Sequence, residues 1–286
     1  MTSAAIQWYP GHIAKAEKAL LDQLKRVDVV LEVRDARIPL ATRHPRIGNW
    51  IGEKGHVLVM NRVDMVAPEG REAWETWLRQ QGAVPYYANA QQGKGVAAIA
   101  KAAQAAGAAV NERRRSRGMR PRPVRAVVIG FPNVGKSALI NRLVKRKVVA
   151  SARKAGVTRQ LRWIRISDEL ELLDAPGILP AQLQDQTAAL KLAICDDIGA
   201  AAYDNQLIAA AMVDLFRQLE GQQGLSYGQA LGDRYGLSPI DISGELYLHQ
   251  VAEARYQGDV ERMARALLND YRVGNLGALP LEWPAG

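Results

Sequence analysis

"GFPNVGKS", residues 130–137, holds Gly130 and Gly135 with four residues between them, then Lys136 and Ser137. This G-x-x-x-x-G-K-S spacing is that of a phosphate-binding loop. Its surroundings agree. "RAVVI" before it is β-branched and reads as a buried strand, and the residues from Lys136 to about 145 have helical spacing. Such a loop curls so that backbone N–H groups of Asn133, Val134, Gly135, Lys136, Ser137 and Ala138 face phosphate oxygens, and the helix N-terminus adds positive potential. Lys136 is placed to reach the terminal phosphates and act in catalysis, and Ser137 to ligate Mg²⁺.

Working outward, "LLDAPG" (172–177) ends another apparent strand with Asp174, a second Mg²⁺ ligand in this reading, and Gly177 offers a backbone N–H to the γ-phosphate. Thr158, in "KAGVT" between the two motifs, completes the ion's shell. Downstream of the loop no Asn-Lys-x-Asp base reader occurs. Upstream, "NRVD" (61–64) follows the strand-like "GHVLVMN". Asp64 there could accept the N1–H and 2-amino group of guanine, which adenine lacks. Asn61 would tie the loop down, and Arg62, in the place of lysine, would cover the base with its stem or stack on it. Asn89 and Ala90 follow the next strand, where a backbone N–H supports the guanine O6. The standard set is complete, with its last two members moved to the front. A circular permutation preserves every spatial neighbour and accounts for that order.

The expected fold is α/β: a doubly wound, mainly parallel sheet of the P-loop NTPase type, followed by an all-helical C-terminal domain. The permuted nucleotide domain spans 1–180, with a base-reading half at 1–112, an extended basic linker at 113–125 ("RRRSRGMRPRPVR") and a phosphate half at 126–180; helices fill 181–286. Helical spacing is read at 13–25, 68–81, 96–115, 187–219, 244–257 and 259–274. The net charge of +9 is uneven: residues 1–177 carry +16 and residues 178–286 carry −7. A basic first part suits a polyanionic partner. No apolar run approaches the roughly 20 residues of a membrane span, and no signal-peptide core is present. The expected setting is the cytoplasm, without a membrane partner. The single cysteine, Cys195, excludes an intramolecular disulfide and reads as a core residue. No heptad run occurs, so a monomer is expected.

The residues also carry a resemblance. "WYPGHIAKA" (8–16), "VDVVLEVRDARIP" (27–39), "GFPNVGKS", "KAGVTRQLRWIRI" (154–166), "LLDAPGIL" (172–179) and "DVERMARALLNDYRVGNLG" (259–277) together make the chain similar to the circularly permuted YlqF/RbgA-type ribosome-assembly GTPases over nearly its whole length. The resemblance implies a GTP/GDP-binding hydrolase that acts on the large ribosomal subunit late in its maturation, contacting rRNA and ribosomal proteins. Ile178 stands where many GTPases carry a water-orienting glutamine, which predicts slow basal turnover and stimulation by the ribosome. The resemblance points to His12 as the group that orients the water; the other reading is a turn cap before the first helix. It likewise points to Asn133 as a companion of a K⁺ ion beside the phosphates, the alternative being that Asn133 only shapes the loop. Two rivals remain at this level: a P-loop ATPase, against which Asp64 argues, and an RNA-binding scaffold with a vestigial nucleotide site, against which Lys136, Ser137, Thr158 and Asp174 argue.

Overall fold

The structure is a computed structural model that describes residues 13–144, 162–175, 185–199 and 203–285, with side chains from residue 19 onward. Its centre is a six-stranded sheet: β1 (Val29–Asp35), β2 (Gly55–Asn61), β3 (Pro85–Ala88), β4 (Val124–Ile129), β5 (Arg162–Arg165) and β6 (Leu170–Asp174). The strand order is β3-β2-β1-β4-β6-β5. All neighbours are parallel except the edge pair β5–β6. Every residue of β1 is buried, as expected for a central parallel strand covered on both faces. If β4, β5 and β6 were moved to the front of the chain, the order would become 6-5-4-1-3-2, with the phosphate loop after the first strand. The sheet is therefore a doubly wound sheet of the P-loop type in permuted order.

One face is covered by α4 (Val96–Ala106) and α6 (Lys136–Leu143), whose Ile99, Ala103, Leu139 and Ile140 join Val29, Leu31, Val33, Val57, Val59, Ala126 and Val128 of the strands in one apolar cluster. The other face takes α1 (Ile13–Leu24) and α2 (Ile47–Ile51) through Leu20, Leu24, Ile47 and Trp50, and α3 (Pro68–Gln80) through Trp74 and Leu78. The Ala-rich stretch read as one helix over 96–115 is two. It breaks at Gly107, where a Cβ would stand 2.4 Å from the Val124 side chain, so glycine lets the chain turn close against β4. The second piece, α5 (Ala108–Ser116), takes in residues 113–116, so the basic linker is not extended throughout. Arg122 then pins it to the sheet with two bonds to the Asp28 carboxylate, 2.7 and 2.8 Å.

The helical part contains α7 (Gln186–Ile194), α8 (Asn205–Leu219), α9 (Tyr227–Tyr235), α10 (Gly244–Arg255) and α11 (Val260–Val273). The single helix expected over 187–219 is thus interrupted, and α2 and α9 are elements the spacing did not announce. Asp185, Asp204, Ser243 and Asp259 each cap a helix, their side chains accepting from free N–H groups of the first turn. Helix α8 is central, and its Phe216 meets Tyr227 and Tyr271 edge-on at 5.2 and 5.8 Å. These side chains belong to the same apolar cluster as the α4–α6 face of the sheet. The tail after α11 runs back over the nucleotide half. Leu281 N–H donates to the Arg37 carbonyl at 2.9 Å, and the buried Glu282 carboxylate accepts from the Leu40 and Ala41 N–H groups and from Lys191. No helix among the described residues is long and apolar enough to cross a membrane.

Candidate functional site

The order of the sheet reverses between β1 and β4, and the carboxyl ends of the strands there form the expected ligand crevice of a doubly wound fold. The loop from Gly130 to Gly135 leaves β4 and enters α6. Asn133 and Gly135 both have positive φ, 58° and 99°, which folds the backbone into the required curl. Position 135 admits no side chain: a Cβ would lie 2.1 Å from the Asn61 amide nitrogen. Lys136 is buried and its ammonium donates to the Phe131 carbonyl at 2.7 Å. Burial lowers its pKa to about 8, with the nearby Asp174 and Asp197 carboxylates pulling the other way.

Asn61, at the end of β2, joins the two halves of the crevice. Its Nδ2 donates to the Val134 carbonyl at 2.7 Å, and its Oδ1 accepts from the Ala90 N–H at 3.0 Å. Residues 61, 90 and 134 are thereby brought together from separate stretches of sequence. Asn89 is buried and caps its own loop by accepting from Gln92 N–H. Asp64 is exposed on the short turn Val63–Met65. Arg62 differs from its expected pose. Its backbone is left-handed, and its guanidinium turns inward, donating to the Asn133 carbonyl at 2.5 Å and lying 3.4 Å from Asp35 and 3.8 Å from Asp197. It cross-links the base-side loop to the phosphate loop.

For Mg²⁺, the residues present suit a hard cation. Ser137 opens α6 half-buried, and Asp174 ends β6 with its carboxylate buried close enough to Lys136 to affect its charge. The Asn133 amide nitrogen donates to the Asp196 carbonyl at 2.6 Å. Its place beside the loop is therefore fixed from the α7 side. His12, Thr158 and Gly177 lie outside the described residues.

Sequence reasoning missed the buried charges beneath this crevice. Asp35, at the end of β1, accepts from Arg37 Nε and Nη2 at 3.0 and 2.7 Å, and both side chains are wholly buried. Burial opposes the Asp35 charge, but Arg37 and Arg62 outweigh it and hold the carboxyl below its ordinary range. Asp197 is also wholly buried, and neither of its oxygens accepts a hydrogen bond from the described residues. Burial, with the Asp35 charge beside it, raises its pKa well above the ordinary carboxylate range. The C-terminal end of α7 lies over this cluster. Its carbonyls at Ala193 and Ile194 accept from Arg272 of α11, that of Cys195 from Arg37, and that of Asp196 from Asn133 of the phosphate loop. Cys195 itself is buried, as expected. The sequence signal was "DAR" at 35–37, two charges at the end of an apolar strand.

Residues 125–220 match the family described as a 50S ribosome-binding GTPase. Over its length the chain is 34% identical to ribosome biogenesis GTPase A of Bacillus cereus, covering 98% of this chain and 94% of the relative, and 34% identical to the protein of the same name from Priestia megaterium, covering 98% and 97%. The chain belongs to the ribosome biogenesis GTPase A family. The fold of this family member agrees with GDP-bound YlqF, with a TM-score of 0.63 at 21% identity over 93% of this chain and 98% of that one.

The buried lysine of this GTPase has a measurable consequence. A triphosphate on the loop favours the Lys136 ammonium, so the pKa rises on binding and a proton is taken up. Binding is therefore expected to be insensitive to this group well below pH 8 and to weaken as pH rises through 8. Calorimetry at pH 8 in buffers of different ionisation enthalpy is expected to show uptake of about half a proton per GTP, falling toward zero at pH 6. Asp197 titrates in the same window, so Asp197→Asn is the control that must retain the uptake. No uptake at pH 8 would refute the lowered Lys136.

Proposed function

We propose that this ribosome-assembly GTPase binds the large ribosomal subunit late in its maturation, hydrolyses GTP slowly on its own, and is stimulated by the subunit. It works as a cytoplasmic monomer with GTP and Mg²⁺. The observation that carries the nucleotide reading is the Asn61 bridge, which puts the base-side loop at 61–64 against the phosphate loop at 134–135. One guanine nucleotide spans that arrangement, its base read by Asp64 and its phosphates held by residues 133–138. The backbone N–H groups of Asn89 and Ala90 are taken by the Lys94 carbonyl and Asn61 Oδ1, so the 89–90 loop acts through Asn61 and not by a direct bond to the guanine O6. Ser137, Thr158 and Asp174 would hold Mg²⁺, which when bound would supply charge neutralisation at the phosphates. Gly177 offers its N–H to the γ-phosphate, His12 orients the attacking water, and Asn133 accompanies a K⁺ ion. Ile178 cannot orient water, which supports slow basal hydrolysis.

Turnover measured with and without large subunits tests the function. Stimulation of at least tenfold by large subunits, and none by small subunits, is the expected result; equal rates would sink the proposal. The base reader has its own test. Asp64→Asn replaces an acceptor with an amide, which suits the 2-oxo edge of xanthine. It is expected to weaken GTP by about 100-fold and to prefer xanthosine triphosphate. Undiminished selectivity for GTP in this variant would remove Asp64 from the role.

A further inference from the structure

A cleft of about 330 Å³ is lined by Arg26, Arg125, Trp163, Arg165 and Glu171. It lies away from the nucleotide crevice. Arg125 stands near the start of β4, five residues before Gly130, or roughly 16 Å along the strand. Register builds the cleft. Arg125 pairs with Glu171 across β4–β6, and Glu171 pairs with Arg165 across β6–β5, so the three form a row on one face of the sheet. Trp163, two residues before Arg165 on the edge strand, shares that face, and Arg26 approaches from the turn after α1.

The charges divide into two kinds. The Arg125 guanidinium lies 3.4 Å from Glu171 and 5.6 Å from the Trp163 ring, so it neutralises the acid and fixes the indole. Arg26 and Arg165 are exposed. The only acid paired with Arg165 among the described residues is Asp168, at 2.9 Å with its side chain 97% exposed, a pair that solvent weakens. The cleft thus offers a half-buried aromatic plane, two exposed cations able to meet phosphates, and one carboxylate able to accept from an exocyclic amine.

We propose that this cleft binds single-stranded RNA, one base stacking on Trp163 and the flanking phosphates meeting Arg26 and Arg165. The assignment rests on the reading that the chain works on a ribosomal subunit, and it locates one contact. A base must be unstacked from its helix to reach an indole, hence the single strand. Stacking of this kind tolerates any base, and the phosphate contacts make it salt-dependent. An acidic protein segment fits less well, because its carboxylates offer no planar group to stack on Trp163.

The test uses the full chain and a ten-nucleotide single-stranded RNA containing 4-thiouridine. Photo-crosslinking followed by peptide mapping is expected to label the Trp163–Glu171 region. In Arg26→Glu/Arg165→Glu, two exposed changes that spare the core, that crosslink should disappear and RNA affinity should fall at least tenfold, with a salt slope shallower by about two. GTP affinity should stay unchanged. Crosslinks confined to the arginines of 113–122 would overturn the proposal, as would wild-type RNA affinity in the double variant. Poly-glutamate binding as tightly as the RNA, and lost in the same variant, would overturn it in favour of a protein partner. These readouts need no ribosome. Loss of subunit stimulation in the wild type would count against the proposed function while leaving the RNA result standing.

Discussion

Replacing Lys136 with methionine is expected to lower GTP affinity by about a thousandfold and to leave the fold intact. The two expectations have one cause. The ammonium is buried, its pKa is held down to about 8, and its described hydrogen bond is to the Phe131 carbonyl. In the empty protein that charge is a liability, because burial disfavours it. With a triphosphate present, it would make two charge-assisted bonds, each of about 1.5–3 kcal/mol. Methionine keeps most of the side-chain volume, so no large cavity forms. Equilibrium unfolding without nucleotide should therefore show equal or slightly greater stability, while the stabilisation by added GTP disappears. A variant that unfolds early without nucleotide would show that Lys136 supports the fold instead.

Arg37→Ala is expected to do the reverse, damaging the fold first and nucleotide binding in consequence. Arg37 is wholly buried, holds the Asp35 carboxylate with two bonds, donates to the Cys195 carbonyl and lies 5.3 Å from the Tyr271 ring. Removing its side chain leaves Asp35 charged in the interior with the backbone N–H of position 37 and, as the one cation near it among the described residues, Arg62, and opens a large void. Breaking a buried pair in this way costs about 3–5 kcal/mol, a fall in Tm on the order of 10 °C. The double variant Asp35→Leu/Arg37→Met removes both charges and keeps the volume. It should recover much of the lost stability, since apolar replacement of a whole buried pair is close to neutral. Failure of the double variant to recover would mean that the Cys195 and Tyr271 contacts, and not the ion pair, carry the effect.

The sheet and its permuted order were legible because they rest on local signals. The glycine spacing of 130–135, the β-branched strands and the position of Asn61 upstream of the loop all survive in one dimension. The break at Gly107 was not legible, since an alanine-rich run has little periodicity to interrupt, and its reason is the approach to Val124. Helix α9 was missed because Gly228 and Gly232 dilute its pattern, although Tyr227, Leu231 and Tyr235 are buried at helical spacing. At the site, Asn61 and Gly135 could be placed by motif, but the inward turn of Arg62 could not. It depends on Asp35 and Asp197, charges from two distant segments that converge only after folding. The same holds for Arg37 and Cys195, 158 residues apart.

Asn133 and Arg272 lean on neighbouring carbonyls of the same helix end, one from the phosphate loop and the other from α11. The two contacts share one stretch of backbone, and any coupling between ligands of the two sides would be reciprocal. If a large particle held α11 in a different place, whatever share of its binding free energy depended on the nucleotide would equal the share of nucleotide affinity that depended on the particle.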